Sequence, residues 1–205
     1  MCPLSASERD ELLGWTASLI MACPRCRLSQ SRRNAVPGEG LSTAELMLVG
    51  EGPGTAEDVQ GRPFVGTSGR LLTEMLAEIG IRREEVYITN VVKCRPPSNR
   101  EPQEDEIAAC QDYLLGQIAA IQPRVIATLG KHAGQALIDP ELSISRVHGR
   151  PFMKEGIFFV PLFHPAYALY NQAQRTVLQE DMRALGELLI KQGVKLSRRH
   201  VKAGQ

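Results

Sequence analysis

The chain has 205 residues, of which 43% are hydrophobic and 23% charged, and its formal net charge is +1. This length fits a single domain over residues 1–205, with a flexible C-terminal tail from about 194 to 205. The balanced charge excludes a global basic field, and no apolar run is long enough to predict a membrane span. Five cysteines without an export signal lead us to expect a reducing compartment, the cytoplasm, and we also expect a monomer.

Strand and helix signals alternate along the chain. In chain order they predict a helix from Ser5 to about Ala22, a strand at Leu46–Val49, a helix through Leu71–Ile79, a strand at Val86–Val92, a helix from Pro102 to about Ile121, a strand at Val125–Leu129, a helix from about Lys131 to Leu137, a strand at Phe158–Phe163 and a helix at Thr176–Gln192. This alternation predicts an α/β fold, a three-layer α/β/α sandwich with a mainly parallel central sheet of about four strands.

Four of the cysteines form an unusual pattern. Cys23 and Cys26 make a CxxC motif, and Cys94 and Cys110 stand on either side of a segment with several basic residues. Four thiolates are enough soft ligands for a 4Fe–4S cluster or, as the less favoured choice, a zinc ion. The alternative is that Cys94 and Cys110 are ordinary buried cysteines, because Cys110 lies on an apolar helical stripe. Cys2 has no partner in the pattern.

Three polar motifs follow the predicted strands directly. Gly50–Gly54 comes after the first strand, Asn90 closes the second, and His164 follows the last. Ligands of open α/β sheets bind outside the carboxyl ends of the strands. These motifs therefore predict an active site at that edge.

Together the segments Leu46–Leu72, Val86–Pro102 and Val160–Leu169 and the four cysteines closely resemble the uracil-DNA glycosylase superfamily, specifically its iron–sulfur (family 4) branch. The resemblance implies an enzyme of DNA repair that hydrolyses the N-glycosidic bond of uracil, acts on uracil-containing DNA and leaves an abasic site. It also implies a 4Fe–4S cluster on the four cysteines. For a prokaryote we expect association with the nucleoid.

The resemblance assigns uracil binding to Gly50, Glu51, Gly52, Phe64, Asn90 and His164, with His164 and Glu51 as catalytic residues. A flipped uracil needs a reader for its Watson–Crick edge, a stacking surface, and a donor for the charge that grows on O2. Asn90 can accept from N3–H and donate to O4, Phe64 can stack, and His164 can donate to O2. Plainer interpretations are a core phenylalanine, a strand-end cap and a turn histidine.

Activation of the attacking water is less defined. Several branches of the superfamily carry Asp where this chain has Gly52, so their water-positioning carboxylate is missing here. Glu51 is the nearest acid. It could orient the water, or it could exclude the methyl group of thymine.

Basic residues and one loop predict the contacts with DNA. Lys93, Arg95 and Arg100 surround Cys94 and are expected to neutralise phosphates. The basic residues near the C-terminus are expected to belong to a frayed tail; they are Arg198, Arg199, His200 and Lys202.

In the loop after His164, the resemblance places a residue that enters the vacated base stack. Family members often have Leu where this chain has Ala168. A small side chain there would support the flipped state less well, so Leu169 or Tyr167 could take over.

Two other classes of function compete with a glycosylase. A non-catalytic iron–sulfur module that binds DNA, attached to replication or repair proteins, would keep the cysteines without needing Glu51, Asn90 and His164 together. A zinc-stabilised nucleotide-binding protein is disfavoured because the GEGPGT segment lacks the Lys-Ser/Thr ending of a P-loop.

Overall fold

The computed structural model describes residues 4–194. Cys2, the tail beyond Val194 and its basic residues Arg198, Arg199, His200 and Lys202 lie outside the described residues. None of the helices within 4–194 is both long and apolar enough to cross a membrane.

The helices and strands alternate as the sequence predicts. The helices of the described residues are α1 (Ala6–Met21), α2 (Leu28–Ser31), α3 (Thr55–Gln60), α4 (Thr67–Glu78), α5 (Glu104–Ile121), α6 (Lys131–Leu137), α7 (Ile144–Val147), α8 (Pro165–Ala168) and α9 (Gln172–Lys191). The strands are β1 (Glu39–Gly40), β2 (Leu46–Gly50), β3 (Tyr87–Asn90), β4 (Val125–Leu129), β5 (Phe152–Lys154) and β6 (Ile157–Leu162). Single 3₁₀ turns lie at Arg83–Glu85 and Pro97–Asn99.

The strands form one sheet in the order β1-β3-β2-β4-β6-β5. The four inner strands run parallel, and β1 and β5 pair antiparallel at the two edges. The predicted fold class and parallel core are confirmed. The predicted count of about four strands was too low, because the two edge strands β1 and β5 were missed. They have only two and three residues. So short a segment carries no readable alternation of apolar and polar residues.

Helices cover both faces of the sheet. Successive residues of β2 point to opposite faces and therefore enter different cores. Leu46 and Leu48 belong to a core with helices α4 and α9. Met47 and Val49 belong to a second core with α1, α5 and α6. These two cores make the three layers of the predicted sandwich.

The order of the strands places the polar motifs at one edge. β3 and β4 lie on opposite sides of β2, so the direction of strand addition reverses there. Such a reversal opens a crevice at the carboxyl ends of the strands. Gly50 and Asn90 are paired in the register of β2 and β3, and both end their strands.

Candidate active site

A pocket of about 380 Å³ opens at the carboxyl edge of the sheet. Of the predicted residues, those that line it are Glu51, Gly52, Phe64, Asn90, Arg100 and His164. Gly50 lies in contact with two of these side chains. The strand ends therefore bring together side chains from distant parts of the chain.

Asn90 is the polar side chain most deeply set in this pocket. It is 1% exposed, and within the described residues nothing donates a hydrogen bond to its Oδ1. A Cβ on Gly50 would come within 2.4 Å of that oxygen, so only glycine leaves room for the amide. A buried acceptor without a partner costs about 1–3 kcal/mol. A ligand that donates to Oδ1 would remove this cost.

Phe64 is held in a backbone conformation that phenylalanine seldom adopts. Its φ is 49°, in the left-handed region. The buried carboxylate of Glu57 fixes the following turn, because it accepts from the main-chain N–H of Val65 and of Gly66, both at 2.9 Å. The same carboxylate accepts from Gly54 N–H at 3.1 Å. The Phe64 ring is thereby set 5.7 Å from the His164 ring across the pocket.

His164 presents a defined donor to the pocket. Its Nδ1 accepts from the main-chain N–H of Ala166 at 3.1 Å, which caps the N-terminus of α8. A neutral imidazole that accepts at Nδ1 carries its proton on Nε2. Burial lowers the pKa of His164 to about 4, although the carboxylate of Glu57 opposes this. At neutral pH the ring is therefore an uncharged donor through Nε2.

Glu51 lies at the mouth of the pocket in a small acidic cluster. Burial raises its pKa above the ordinary range, while His132 opposes the rise and Glu101 adds to it. His132 Nε2 lies 4.0 Å from Glu51 Oε2 and 3.1 Å from Glu101 Oε1. Glu51 is thus a partly buried carboxyl group with raised basicity, beside a histidine that moderates it.

The four cysteines meet in a second cavity, on the side of the sheet that carries α1 and α5. All four are free thiols, and Cys23, Cys94 and Cys110 are buried. Donors already face the sulfurs: Arg25 N–H lies 3.4 Å from Cys23 Sγ, and Arg32 Nη1 lies 3.0 Å from Cys94 Sγ. Burial raises the pKa of Cys110 to about 11, so without a metal this thiol stays protonated.

The four thiols are chemically suited to a thiolate-bound metal centre. Within residues 4–194, no group of three or more His, Cys, Asp or Glu side chains is placed to hold one metal ion. A 4Fe–4S cluster spreads its cysteine sulfurs further apart than one zinc ion does, and it takes thiolates alone. The four thiols around one cavity, with N–H donors to sulfur, agree with that arrangement.

Comparison with known families agrees with the geometry. The profile of the family described as "Uracil DNA glycosylase superfamily" matches residues 37–186. The chain belongs to this superfamily. It is 50% identical over 181 residues to the type-4 uracil-DNA glycosylase of Sulfurisphaera tokodaii, which is 83% of this chain and 82% of that protein. It is 48% identical over 182 residues to the type-4 uracil-DNA glycosylase of Saccharolobus solfataricus, 84% of each chain. The type-4 uracil-DNA glycosylase of Thermotoga maritima is 46% identical over 189 residues, 90% of this chain and 98% of that protein.

Lys93, which the sequence predicts to contact DNA, lies inside the protein. Lys93 is 1% exposed, and its Nζ donates to Thr89 Oγ1, to the main-chain oxygen of Asn90 and to Gln117 Oε1. Burial lowers its pKa to about 7. The prediction that Lys93 contacts phosphates is wrong, because the basic segment turns this side chain into the protein.

Arg95 and Arg100, which are also predicted to contact DNA, have different partners within the protein. Arg95 donates from Nε to Asn99 Oδ1 at 2.7 Å on the surface. Arg100 makes a two-point ion pair with the buried carboxylate of Glu106, at 2.8 and 2.6 Å. Part of the charge of Arg100 is therefore already balanced inside the protein, which leaves Arg95 better placed for a phosphate.

The loop after His164 also departs from the prediction. Ala168 is 3% exposed and packs in the core with α4 and α9, and Leu169 packs against the same core. Ala168 therefore does not project toward DNA, because the short helix α8 turns it inward. Tyr167, which is 57% exposed, projects from this loop instead.

Two residues of this site were not identified from the sequence. Glu57 looks like an ordinary helix residue, and only the folded turn reveals that it holds the loop of Phe64. His132 had a readable signal, because it stands three residues after Leu129, the last residue of β4. The same rule that selected Asn90 and His164, a polar residue at the carboxyl end of a strand, would have found it.

Proposed function

We propose that this protein is a DNA repair glycosylase that binds uracil-containing DNA, flips the uracil out of the helix and hydrolyses its N-glycosidic bond. The observation that carries the proposal is the buried Asn90 Oδ1, which has no donor among the described residues and lines the pocket. Uracil N3–H would supply the missing donor, and the amide N–H₂ of Asn90 would donate to O4. Cytosine presents an acceptor at N3 and a donor at N4, so both contacts would be mismatched.

The ring of Phe64 and the imidazole of His164 serve the base and its departure. Phe64 lies 6% exposed beside the pocket, where it can stack on a flipped base. As the bond between C1′ and N1 breaks, its electron pair goes to the base and negative charge develops on O2. The Nε2–H of neutral His164 can donate to that oxygen, and a preorganised donor of this kind is usually worth most in such reactions.

Water completes the reaction at C1′ of the oxocarbenium-like sugar. Its oxygen forms the new bond, and its proton goes to a base at the pocket mouth, for which the partly buried Glu51 is the nearest candidate. In the part of the chain that the structure describes, no lysine lines this pocket. This supports water as the nucleophile, and hence an abasic site as the product without strand cleavage.

We further propose that Cys23, Cys26, Cys94 and Cys110 hold a 4Fe–4S cluster as a structural centre. Its ligands lie in the loop after α1, after β3 and within α5, so the cluster would tie these segments together. Arg95, the residue after Cys94, would be held near it for contact with DNA, whereas Arg25 is paired with Asp112. The chemistry at uracil needs no electron from it.

The alternative, a non-catalytic iron–sulfur module that binds DNA, explains the cysteines but not the pocket. A module that only binds DNA needs neither an unpartnered buried amide nor a histidine fixed as a donor. It would also gain nothing from the left-handed conformation of Phe64. The catalytic proposal uses all three features.

The test is the substitution Asn90→Asp, assayed on matched U:G and C:G duplexes. The new carboxylate oxygen repels uracil O4 but can accept from the cytosine amine. We expect single-turnover excision of uracil to fall by roughly 100-fold or more, from two lost or repulsive contacts, and weak cytosine excision to appear.

Asn171→Asp is the matched control, because Asn171 caps α9 with a side-chain oxygen that aspartate also supplies. This variant should excise uracil at the wild-type rate. Undiminished uracil release by Asn90→Asp would mean that Asn90 does not read the base.

A further inference from the structure

Lys93 lies directly behind the residue that we propose reads uracil. Its Nζ donates to Thr89 Oγ1, to the main-chain oxygen of Asn90 and to Gln117 Oε1, each at 2.7 Å. An ammonium group has three donors, and all three are used here. A lysine this deeply buried is uncommon, because desolvation of the charge is costly. Its three hydrogen bonds offset part of that cost.

The acceptors around Lys93 are themselves fixed. Gln117 Nε2 donates to the main-chain oxygen of Pro37 at 2.7 Å and to Tyr87 Oη at 3.2 Å. Thr89 Oγ1 lies 2.9 Å from the same Pro37 oxygen and donates to it. The ammonium therefore joins the end of β3 to α5 and to the chain before β1 in a connected hydrogen-bond network.

The main chain of Lys93 faces the cysteine cavity. It forms a hydrogen bond with the thiol of Cys110, and its carbonyl accepts from Val36 N–H at 2.7 Å. Cys94 is the next residue in the chain. Lys93 thus lies between the cysteine ligands and the uracil pocket.

Nothing among the described residues donates to the Oδ1 of Asn90, so the aim of this amide depends on the strand end that carries it. Two contacts fix that strand end. Asn90 is paired with Gly50 in the sheet, and its main-chain oxygen accepts from the ammonium of Lys93.

We infer that Lys93 is a positioning residue for base recognition: by binding the carbonyl of Asn90, it sets the orientation in which the side-chain amide meets uracil. This rests on the proposed function and adds a residue that does not touch the base. Removing the ammonium leaves the Asn90 carbonyl without this donor, so the strand end shifts to regain a partner, whereas Gln117 Oε1 keeps the Thr89 hydroxyl at 3.2 Å.

The test is a double-substitution cycle with Lys93→Met and Asn90→Ala. We expect Lys93→Met to keep its visible absorption and iron, and to lower the single-turnover rate of uracil excision by roughly 10- to 100-fold, as for lost hydrogen bonds to a charged group. Inhibition by free uracil, a binding readout independent of turnover, should weaken in parallel. In the Asn90→Ala background Lys93→Met should cost at most about twofold, because residues that act through one another are not additive.

Lys191→Met is the matched control on the exposed end of α9 and should leave rate and inhibition unchanged. If the two losses multiply in the double variant, Lys93 does not act through Asn90 and the inference is overturned. If Lys93→Met does not fold or loses its iron, the same cycle is run with Thr89→Val, which removes one acceptor and keeps the shape of the side chain. Additive losses there overturn the inference equally.

A wild-type protein that releases no uracil would overturn the proposed function and this inference together, whereas an active wild type with an additive cycle overturns the inference alone.

Discussion

A single main-chain hydrogen bond decides which nitrogen of His164 carries the proton. Because Ala166 N–H occupies Nδ1, the proton of the neutral ring is on Nε2. Burial, which lowers the pKa of His164 to about 4, keeps the ring neutral at physiological pH. Glu51 is shifted in the opposite direction, since burial raises its pKa. His164 is therefore an uncharged donor at neutral pH, and the raised pKa of Glu51 makes its carboxylate a stronger base than an ordinary glutamate.

The order of the two titrations gives a pH prediction. As the pH falls, Glu51 takes up its proton first, because its pKa lies above the ordinary 4.5 and that of His164 is about 4. If Glu51 orients the water, kcat/KM falls on the acid side at a pH above that of an ordinary glutamate. We expect Glu51→Gln to lower the rate at neutral pH and to remove this acid limb, so that the profile stays flat until close to pH 4.

The pH profile of Glu74→Gln serves as the control, because Glu74 forms only a surface ion pair with Arg175. It should match the wild type. A Glu51→Gln variant with an unmoved acid limb would assign that limb to another group and leave Glu51 without a part in activating water.

Asn90 and His164 could be selected from the sequence because they stand at the ends of predicted strands, and Phe64 because its segment resembles the family. The location of Lys93 could not, because a lysine that ends an apolar run and precedes Arg95 and two prolines is typical of a surface loop. Its three acceptors come from residues 89, 90 and 117, and the last of these reaches it only after α5 packs on the sheet. Burial that depends on such distant partners leaves no local signal.

At the scale of elements, β2 and β3 meet the loop of Phe64 at one crowded point. Gly50 ends β2, and a Cβ there would lie 2.4 Å from Asn90 Oδ1 and 2.6 Å from Phe64 Cζ. The strand therefore ends in glycine because two functional side chains occupy the space a larger residue needs.

This crowding predicts a large effect for Gly50→Ala. The added methyl must displace the amide or the ring, so we expect single-turnover uracil excision to fall by roughly 10-fold or more and stability to fall by about 1–3 kcal/mol. Gly116→Ala in the exposed part of α5 is the control, since a Cβ there meets nothing within 4 Å. It should raise stability by up to about 1 kcal/mol. Equal behaviour of the two variants in thermal unfolding and excision would refute the crowding argument.

The longer elements were predicted closely and the short ones were missed. The capping box at Ser5 and Glu8 that starts α1 is present, and the strands β2 and β4 lie where the apolar runs predict. β1 and β5 can be recognised as strands only from their pairing with β3 and β6, respectively. Their few residues form strands because a neighbour offers backbone partners, which no local pattern records.

At the scale of the whole molecule, the cysteine cavity ties the N-terminal helix to the segment after β3 and to α5. We expect protein purified without oxygen to be brown, with broad absorption near about 400 nm and about four irons per chain. Cys110→Ser should lose iron and stability, because the binding energy of a metal centre is also folding energy. Cys2→Ser should behave as the wild type. A colourless protein with one zinc per chain would contradict the cluster.

Other sequence predictions stay predictions at this scale: the single domain, the monomer, the cytoplasmic location and the association with the nucleoid. The surface suggests how DNA would lie. Arg95 is partly exposed and donates to Asn99, which lines the pocket, while Lys93 is buried in the core. Fewer of the predicted cations are thus free to contact phosphates than the sequence indicates, because Lys93 is buried and Arg100 is paired with Glu106.

The central claim is excision of uracil, and its most direct measurement is the product balance on a duplex with one uracil opposite guanine. We expect one free uracil for each alkali-labile site, strands that stay intact until alkali is added, and no release from an otherwise identical duplex with thymine. Iron-loaded protein that binds this DNA but releases no uracil would contradict the account and favour a non-catalytic DNA-binding module.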